Sequence, residues 1–392
     1  MLKNNSNKIK KIVVVTGTRS EYGILKPLLE KIDGAKNFDL KLMVTGMHLL
    51  KKYGLTVNEI KKDGFKINVK IPMYSNKGND VCYHGKALAK GVGGFTVALN
   101  KTKPDMVIML GDRLESLAAV LAATTLNIPI AHIHGGDKTD SGHIDESIRH
   151  SISRFANIHF TPTKGTASRL SKMGEEYWRI FKVGSLGLDT AINEPLVKKN
   201  ILFKQLNLDP KQKLIVCIFH PVHPEAPLMG EQMREIVKSL KKLKVQTAII
   251  YPNNDSGSQD IIKEISQIKK LPFINIFSNI QHKEYINLLR NADVLIGNSS
   301  SGILEASSIK LPVVNIGSRN VGREHGDNVI FVEVEKEKII KAIKKSMEDK
   351  KFINKVKQGK NPYGDGKTSE RIIKNLNNIK IDKKLLHKKI TY

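Results

Sequence analysis

Asp112 stands directly after the apolar run Met106–Leu110, between Gly111 and Arg113. At the carboxyl end of a strand, such an aspartate serves either as a proton-transfer group or as the cap of the next helix. A second cluster follows at His132-Ile133-His134-Gly135-Gly136-Asp137, with Asp145-Glu146 and Arg149-His150 soon after it. His132 and His134 fall on one side of an extended chain, and with His143 and His150 downstream they raise the question of a metal. No HExxH spacing is present, and the paired glycines fit backbone that comes close to a ligand. The reading is a metal-free pocket of His, Asp and Glu in which protons move.

The second half carries a different chemistry. His220 ends the run Leu214–Phe219 and opens His220-Pro221-Val222-His223-Pro224-Glu225. Tyr251-Pro252-Asn253-Asn254-Asp255-Ser256-Gly257-Ser258 follows the next apolar run, and Gly297-Asn298-Ser299-Ser300-Ser301-Gly302 opens a helical stretch that carries Glu305. Such a small-residue turn presents N–H and hydroxyl donors to a diphosphate. Glu305 is placed to accept both hydroxyls of a ribose, and Arg319 in Gly317-Ser318-Arg319 adds a phosphate ligand. A serine cap alone would account for Ser299, but not for the polar ends of the other strands.

Thr16-Gly17-Thr18-Arg19-Ser20-Glu21 ends the first strand. Here a helix N-terminus with Arg19 suits an anion, and a purely structural turn accounts for the residues equally well. The turn is not GxGxxG, and Thr45-Gly46-Met47-His48 stands where a dinucleotide site places an acid, which argues against a nicotinamide cofactor. The absence of GxxxxGK[ST] argues against a P-loop ATPase.

The elements that must position these groups are short β-branched runs separated by helix-length stretches, the pattern of parallel α/β units. Expected strands are Ile12–Thr16, Leu40–Thr45, Met106–Leu110, Ile128–Ile133 and Ile158–Thr161. The pattern resumes at Leu214–Phe219, Thr247–Tyr251, Phe273–Phe277, Asp293–Ile296 and Pro312–Ile316. The 392 residues divide into an N-terminal domain (1–188), a linker (189–210), a C-terminal domain (211–372) and a Lys-rich tail (373–392). A hydrophobic fraction of 40% supports real cores. No run is long enough to span a bilayer, so no membrane partner is expected. The N-terminus reads as a first strand rather than a signal peptide, and the two cysteines form no framework, which places the chain in the cytoplasm. The net charge of +27 is spread through lysines without interleaved aromatics, so it reads as a solvated surface favouring anionic small molecules, not nucleic acid.

Taken together, TGTRSEYG, GMHL, GDRLES, HIHGG, DESIRH, HPVHPE, YPNNDSGS, GNSSSGILE, GSRNVGRE and NPYGDGKTSERI run in order from residue 16 to 372. The ordered set resembles the hydrolysing UDP-N-acetylglucosamine 2-epimerase family. The resemblance implies an α/β fold of GT-B architecture: two Rossmann-like, doubly wound parallel-sheet domains around a cleft, with no metal and no cofactor. It implies UDP on the C-terminal domain, with Ser299 and Ser300 on phosphate, Glu305 on ribose, Ile280 and Tyr285 on uracil, and Arg19, His220 and Arg319 about the diphosphate. Arg113, Asn253 and Asp255 complete the implied substrate-binding set. Proton removal at C2 and loss of UDP from C1 would give a glycal, whose hydration releases the C2-inverted free sugar, typically N-acetylmannosamine, for nonulosonate (sialic acid-type) synthesis. Asp112 and Asp145 match two family carboxylates, and His134 stands where relatives carry glutamate. Either His134 takes over proton transfer or Asp137 supplies the carboxylate. The family also implies a homodimer or homotetramer. The rival readings are a non-hydrolysing 2-epimerase, a glycosyltransferase of the same architecture and a non-catalytic UDP- or nucleic-acid-binding module.

Overall fold

The computed structural model describes residues 9–51, 54–74, 82–138, 144–252 and 257–392. They form two compact units. The first takes in the chain up to Lys138, then 144–190, and finally Gly366–Tyr392; the second runs from Ala191 to Asp365.

The first unit holds β1 (Lys10–Thr16), β2 (Phe38–Thr45), β3 (Ile67–Ile71), β4 (Met106–Leu110), β5 (Ile130–Ile133), β6 (Ile158–Thr161) and β7 (Ile180–Lys182). All pairings are parallel, in the order β3-β2-β1-β4-β5-β6-β7. Alternation along β1 explains why its run is apolar throughout. Ile12 and Val14 pack with Leu25 and Leu29 of the helix Arg19–Asp33, while Val13 and Val15 pack with Phe95 and Ala118 on the other face.

The second unit holds β8 (Leu214–Ile218), β9 (Gln246–Ile250), β10 (Ile274–Phe277), β11 (Val294–Gly297), β12 (Val313–Ile316) and β13 (Val329–Val332). These are again parallel, in the order β10-β9-β8-β11-β12-β13. Ile215 and Cys217 face the helices Met229–Leu243 and Lys336–Glu348, while Leu214 and Val216 face Leu202 and Phe203. In both sheets the chain winds outward from one strand and then returns to that strand's other side. The crevice at each reversal, beyond the carboxyl ends, is where ligands bind in such sheets.

The C-terminal residues depart from the sequence reading. Gly366–Tyr392 belong to the first unit rather than to the second domain and a Lys-rich tail. Ile372, Leu376 and Leu385 are buried in the core beside β1, where an apolar trio gains more than the surrounding lysines lose. Two cations fasten the return. Arg179, fully buried, donates to the carbonyls of Lys384, Leu385 and His387 at 2.7–3.0 Å. Lys388 donates to those of Ser153, Arg154 and Ala156 at 2.7–3.0 Å and pairs with Glu175 at 2.6 Å. The stretch expected as a linker contains the helices Gly187–Asn193 and Lys199–Gln205, and the units divide between Thr190 and Ala191. No helix among the described residues is long and apolar enough to cross a membrane.

Candidate active site

In the first unit, Asp112 follows β4 and the β5 turn carries His134 and Asp137, while the helix Ile144–Phe155 brings Asp145, Glu146 and Arg149. Arg149 gathers three of them. It donates to the Asp112 carboxylate, to Glu146 Oε2 at 2.5 Å and to the Asp137 carbonyl at 3.4 Å. Burial works against its charge, but Asp112, Asp137 and Glu146 outweigh this and raise its pKa. Arg149 lies in a stretch quoted from the sequence without a role, and its partners assign one. It is the cation that holds the acids together.

His132 supports this arrangement from below. Its Nε2 lies 2.7 Å from the Gly111 carbonyl and its Nδ1 lies 3.1 Å from Ser153 Oγ. Burial drives its pKa down to about 3 against the carbonyl's pull, so the neutral ring ties the Asp112 turn to the helix of Arg149. Among the described residues no group of acids, histidines and cysteines is placed to hold a metal ion.

His134 has left-handed backbone, with φ of 65°. Its Nε2 accepts from the Leu186 N–H at 3.2 Å, and Ser185 Oγ lies 3.5 Å away. A backbone amide can only donate, so this contact requires Nε2 to be the acceptor and puts the ring proton on Nδ1. The Asp137 carboxylate accepts from the Lys138 N–H at 2.9 Å and acts electrostatically on Arg149.

The β1 turn resolves toward structure. Glu21 Oε2 accepts from the N–H groups of Gly17 and Thr18 at 2.9 and 3.0 Å, so the turn's donors are occupied by its own capping box. Burial and the nearby Glu115 push Glu21 up to about 7, against Arg113 and the two amides. Glu115, itself buried, takes Arg113 Nε at 3.2 Å and packs beneath the β2 turn. Gly46 there has φ of 63°, and a Cβ on it would meet the Gly17 carbonyl at 2.6 Å and Glu115 at 2.7 Å. Arg19 is 62% exposed and pairs with Glu59 at 3.2 Å.

In the second unit, the ends of β8, β11 and β12 bring His220, Ser299, Ser300 and Arg319 to the strand-order reversal. The helix that opens at Ser301 is only four residues long, so its turn offers individual N–H and hydroxyl donors rather than a strong dipole. Tyr285 packs with Ile280 on the core beneath it, and its hydroxyl lies 2.5 Å from Ser301 Oγ. Burial and Glu305 raise that phenol's pKa. Glu305 is pushed up to about 7 by burial, against its own backbone N–H and Arg323. Its Oε2 is buried without a hydrogen-bond partner. An orphaned acceptor of this kind suits a ligand's hydroxyls. Asn253 and Asp255 lie outside the described residues. Asn298 and Asn320, which tie these loops together, were not singled out from sequence, because asparagine after a strand reads as a turn former.

The profile of the family described as UDP-N-acetylglucosamine 2-epimerase matches residues 30–377. The chain is 38% identical over 384 residues to a UDP-N,N′-diacetylbacillosamine 2-epimerase (hydrolyzing) of Legionella pneumophila, covering 97% of this chain and 99% of that one. It is 35% identical over 328 residues to a GDP/UDP-N,N′-diacetylbacillosamine 2-epimerase (hydrolyzing) of Campylobacter jejuni, covering 83% and 85%. In fold it is similar to the UDP-GlcNAc 2-epimerase of Neisseria meningitidis, solved bound to UDP-GlcNAc. There the TM-score is 0.81 at 19% identity, over 94% of this chain and all of that one.

Proposed function

The chain belongs to the UDP-N-acetylglucosamine 2-epimerase family, and from that membership we propose that it is a hydrolysing UDP-sugar 2-epimerase. The observation that carries the hydrolysing reading is the 38% identity, over nearly both full lengths, to an enzyme of that branch. The same comparison favours a UDP-2,4-diacetamido-6-deoxy sugar as substrate, with UDP-N-acetylglucosamine as the second reading. The product then feeds nonulosonate synthesis.

The chemistry sets the demands. A C2 hydrogen beside an amide nitrogen and the anomeric carbon is scarcely acidic, so departure of UDP from C1 must run ahead of its removal. The growing oxocarbenium character then needs carboxylates nearby. Asp112 and Asp145 of the first unit are assigned that work, with Arg149 fixing the position of Asp112. Asp137 is assigned the third carboxylate role, because the Nε2 of His134 is engaged by Leu186. His134 then serves as a hydrogen-bond donor through Nδ1. In the second unit Ser299, Ser300, His220 and Arg319 are assigned the diphosphate, Glu305 the ribose, and Ile280 with Tyr285 the uracil. Arg19, Arg113, Asn253 and Asp255 remain proposed substrate contacts. We propose a cytoplasmic homo-oligomer that works without a cofactor.

Incubation of the protein with each UDP-sugar in deuterated water tests this reading. Free C2-inverted sugar carrying deuterium at C2, together with UDP, is expected. An intact epimerised UDP-sugar would place the chain in the non-hydrolysing branch, and transfer to an acceptor without C2 exchange would make it a glycosyltransferase.

A further inference from the structure

Three side-chain amides lie buried at the carboxyl edge of the second sheet, each 1% exposed: Asn298 after β11, Asn315 within β12 and Asn320 beyond it. Asn298 spends its amide on one residue. Its Oδ1 accepts from the His220 N–H at 2.6 Å and its Nδ2 donates to the His220 carbonyl at 2.8 Å. The main-chain carbonyl of Asn298 in turn accepts from Arg319 Nη1 and from Asn320 Nδ2, both at 3.0 Å. Asn320 Nδ2 also reaches Asn315 Oδ1 at 2.9 Å and the Ser299 carbonyl at 3.4 Å. The loops after β8, β11 and β12, adjacent strands in the sheet, are thus joined through one residue.

We infer that the Asn298 side chain is the positioning group of the diphosphate subsite, fixing His220 against the serine turn, to which Arg319 and Asn320 are tied through the Asn298 main-chain carbonyl. This inference rests on the nucleotide reading proposed above and deepens it. The residue type follows from the geometry. The two-point clasp on His220 needs an acceptor and a donor on one short side chain, which an amide supplies and a single hydroxyl cannot. A carboxylate would fill the acceptor half and add negative charge where a diphosphate must sit. The pyrimidine and ribose side, formed by Ile280, Tyr285 and Glu305, makes no hydrogen bond to Asn298 among those described, so the two parts of the ligand can be read separately.

The test compares UDP with uridine, which lacks the phosphates, on wild type and Asn298→Ala, by calorimetry for UDP and ligand-observed NMR for uridine. Loss of one well-placed hydrogen bond to a charged phosphate weakens binding roughly 10- to 150-fold. The variant is expected to weaken UDP by about that factor and to raise KM for the UDP-sugar in step, while uridine binds as before. UDP binding unchanged in the variant would overturn the inference, as would equal loss of UDP and uridine by a variant that is still folded. Should Asn298→Ala fail to fold, Asn298→Ser, which stays neutral and can make at most one of the two contacts to His220, must show the same split in smaller measure. A wild type that binds neither ligand would overturn the nucleotide reading itself.

Discussion

Replacing Glu305 by glutamine should make the protein more stable and worse at binding UDP. Burial pushes this carboxyl up to about 7, opposed by its own backbone N–H and by Arg323. Each pH-unit displacement of a pKa corresponds to about 1.4 kcal/mol. Moving from 4.5 to about 7 therefore means that the ionised, unliganded carboxylate costs the folded second unit about 3 kcal/mol. The sign follows from the direction of the shift. Below pH 4.5 both folded and unfolded chains hold the proton and the cost vanishes; between 4.5 and 7 only the folded chain keeps it, so stability from this group falls as pH rises. The glutamine amide carries no charge but leaves some polar surface unpaired, so the expected gain at pH 8 is about 2 kcal/mol, or roughly 4–8 °C in Tm. At pH 4.5 the gain disappears.

Binding runs the other way. Hydrogen bonds to a charged group contribute about 1.5–3 kcal/mol, so the variant should bind UDP roughly 10- to 150-fold more weakly at pH 8. Between pH 7.5 and 5.5 the ionised fraction of Glu305 falls by about 25-fold, so protonation should close most of that gap. The ionisation of UDP itself cancels in the ratio of wild type to variant. Thermal scans and calorimetry across pH measure both effects. A variant no more stable than wild type at pH 8, together with an affinity ratio that does not change with pH, would refute both the buried charge and its role on the ribose.

Two further predictions concern catalysis and folding. Asp112→Asn and Asp137→Asn should each lower turnover of the UDP-sugar by about 1000-fold with nearly unchanged affinity for UDP. His134→Gln, which can still accept from Leu186, should retain most of it; collapse of that variant beside an active Asp137→Asn would move proton transfer to the imidazole. Gly297 has φ of 118°, and a Cβ there would lie 1.9 Å from the Ile218 carbonyl oxygen. Backbone cannot yield as a side-chain tip does, so Gly297→Ala should cost about 4 kcal/mol or more, read as loss of the folded second unit in urea denaturation.

Ten of the strands were legible because they read as apolar runs, most of them buried inside a sheet. Three of the four edge strands, β3, β7 and β13, were not. Asn68 and Lys70 break the pattern in β3 and β7 is only three residues long, while the half-buried apolar run of β13 is as long as the legible β5 and β6. Lysine content around Ile379 hid the C-terminal return, because composition does not show that Ile372, Leu376 and Leu385 share one core. At the candidate site, residue types singled out Asp112, Ser299 and Glu305 as proposed functional groups. What they did not announce was who holds them. The roles of Arg149 and Asn298 come from partners distant in sequence, as do the Glu21 cap over the first turn's amides and the bond from Leu186 to His134.

The return of Gly366–Tyr392 to the first unit bears on how the protein is made. On the ribosome the second unit emerges whole while the first still waits for Ile372, Leu376, Leu385 and Lys388. The unit that comes first in the sequence is thus completed only by residues that follow the second, and its core stays open until they are in place. Fusions or nicks near Tyr392 would then harm the acid cluster at Asp112, more than 250 residues upstream, before they touch the unit that precedes them.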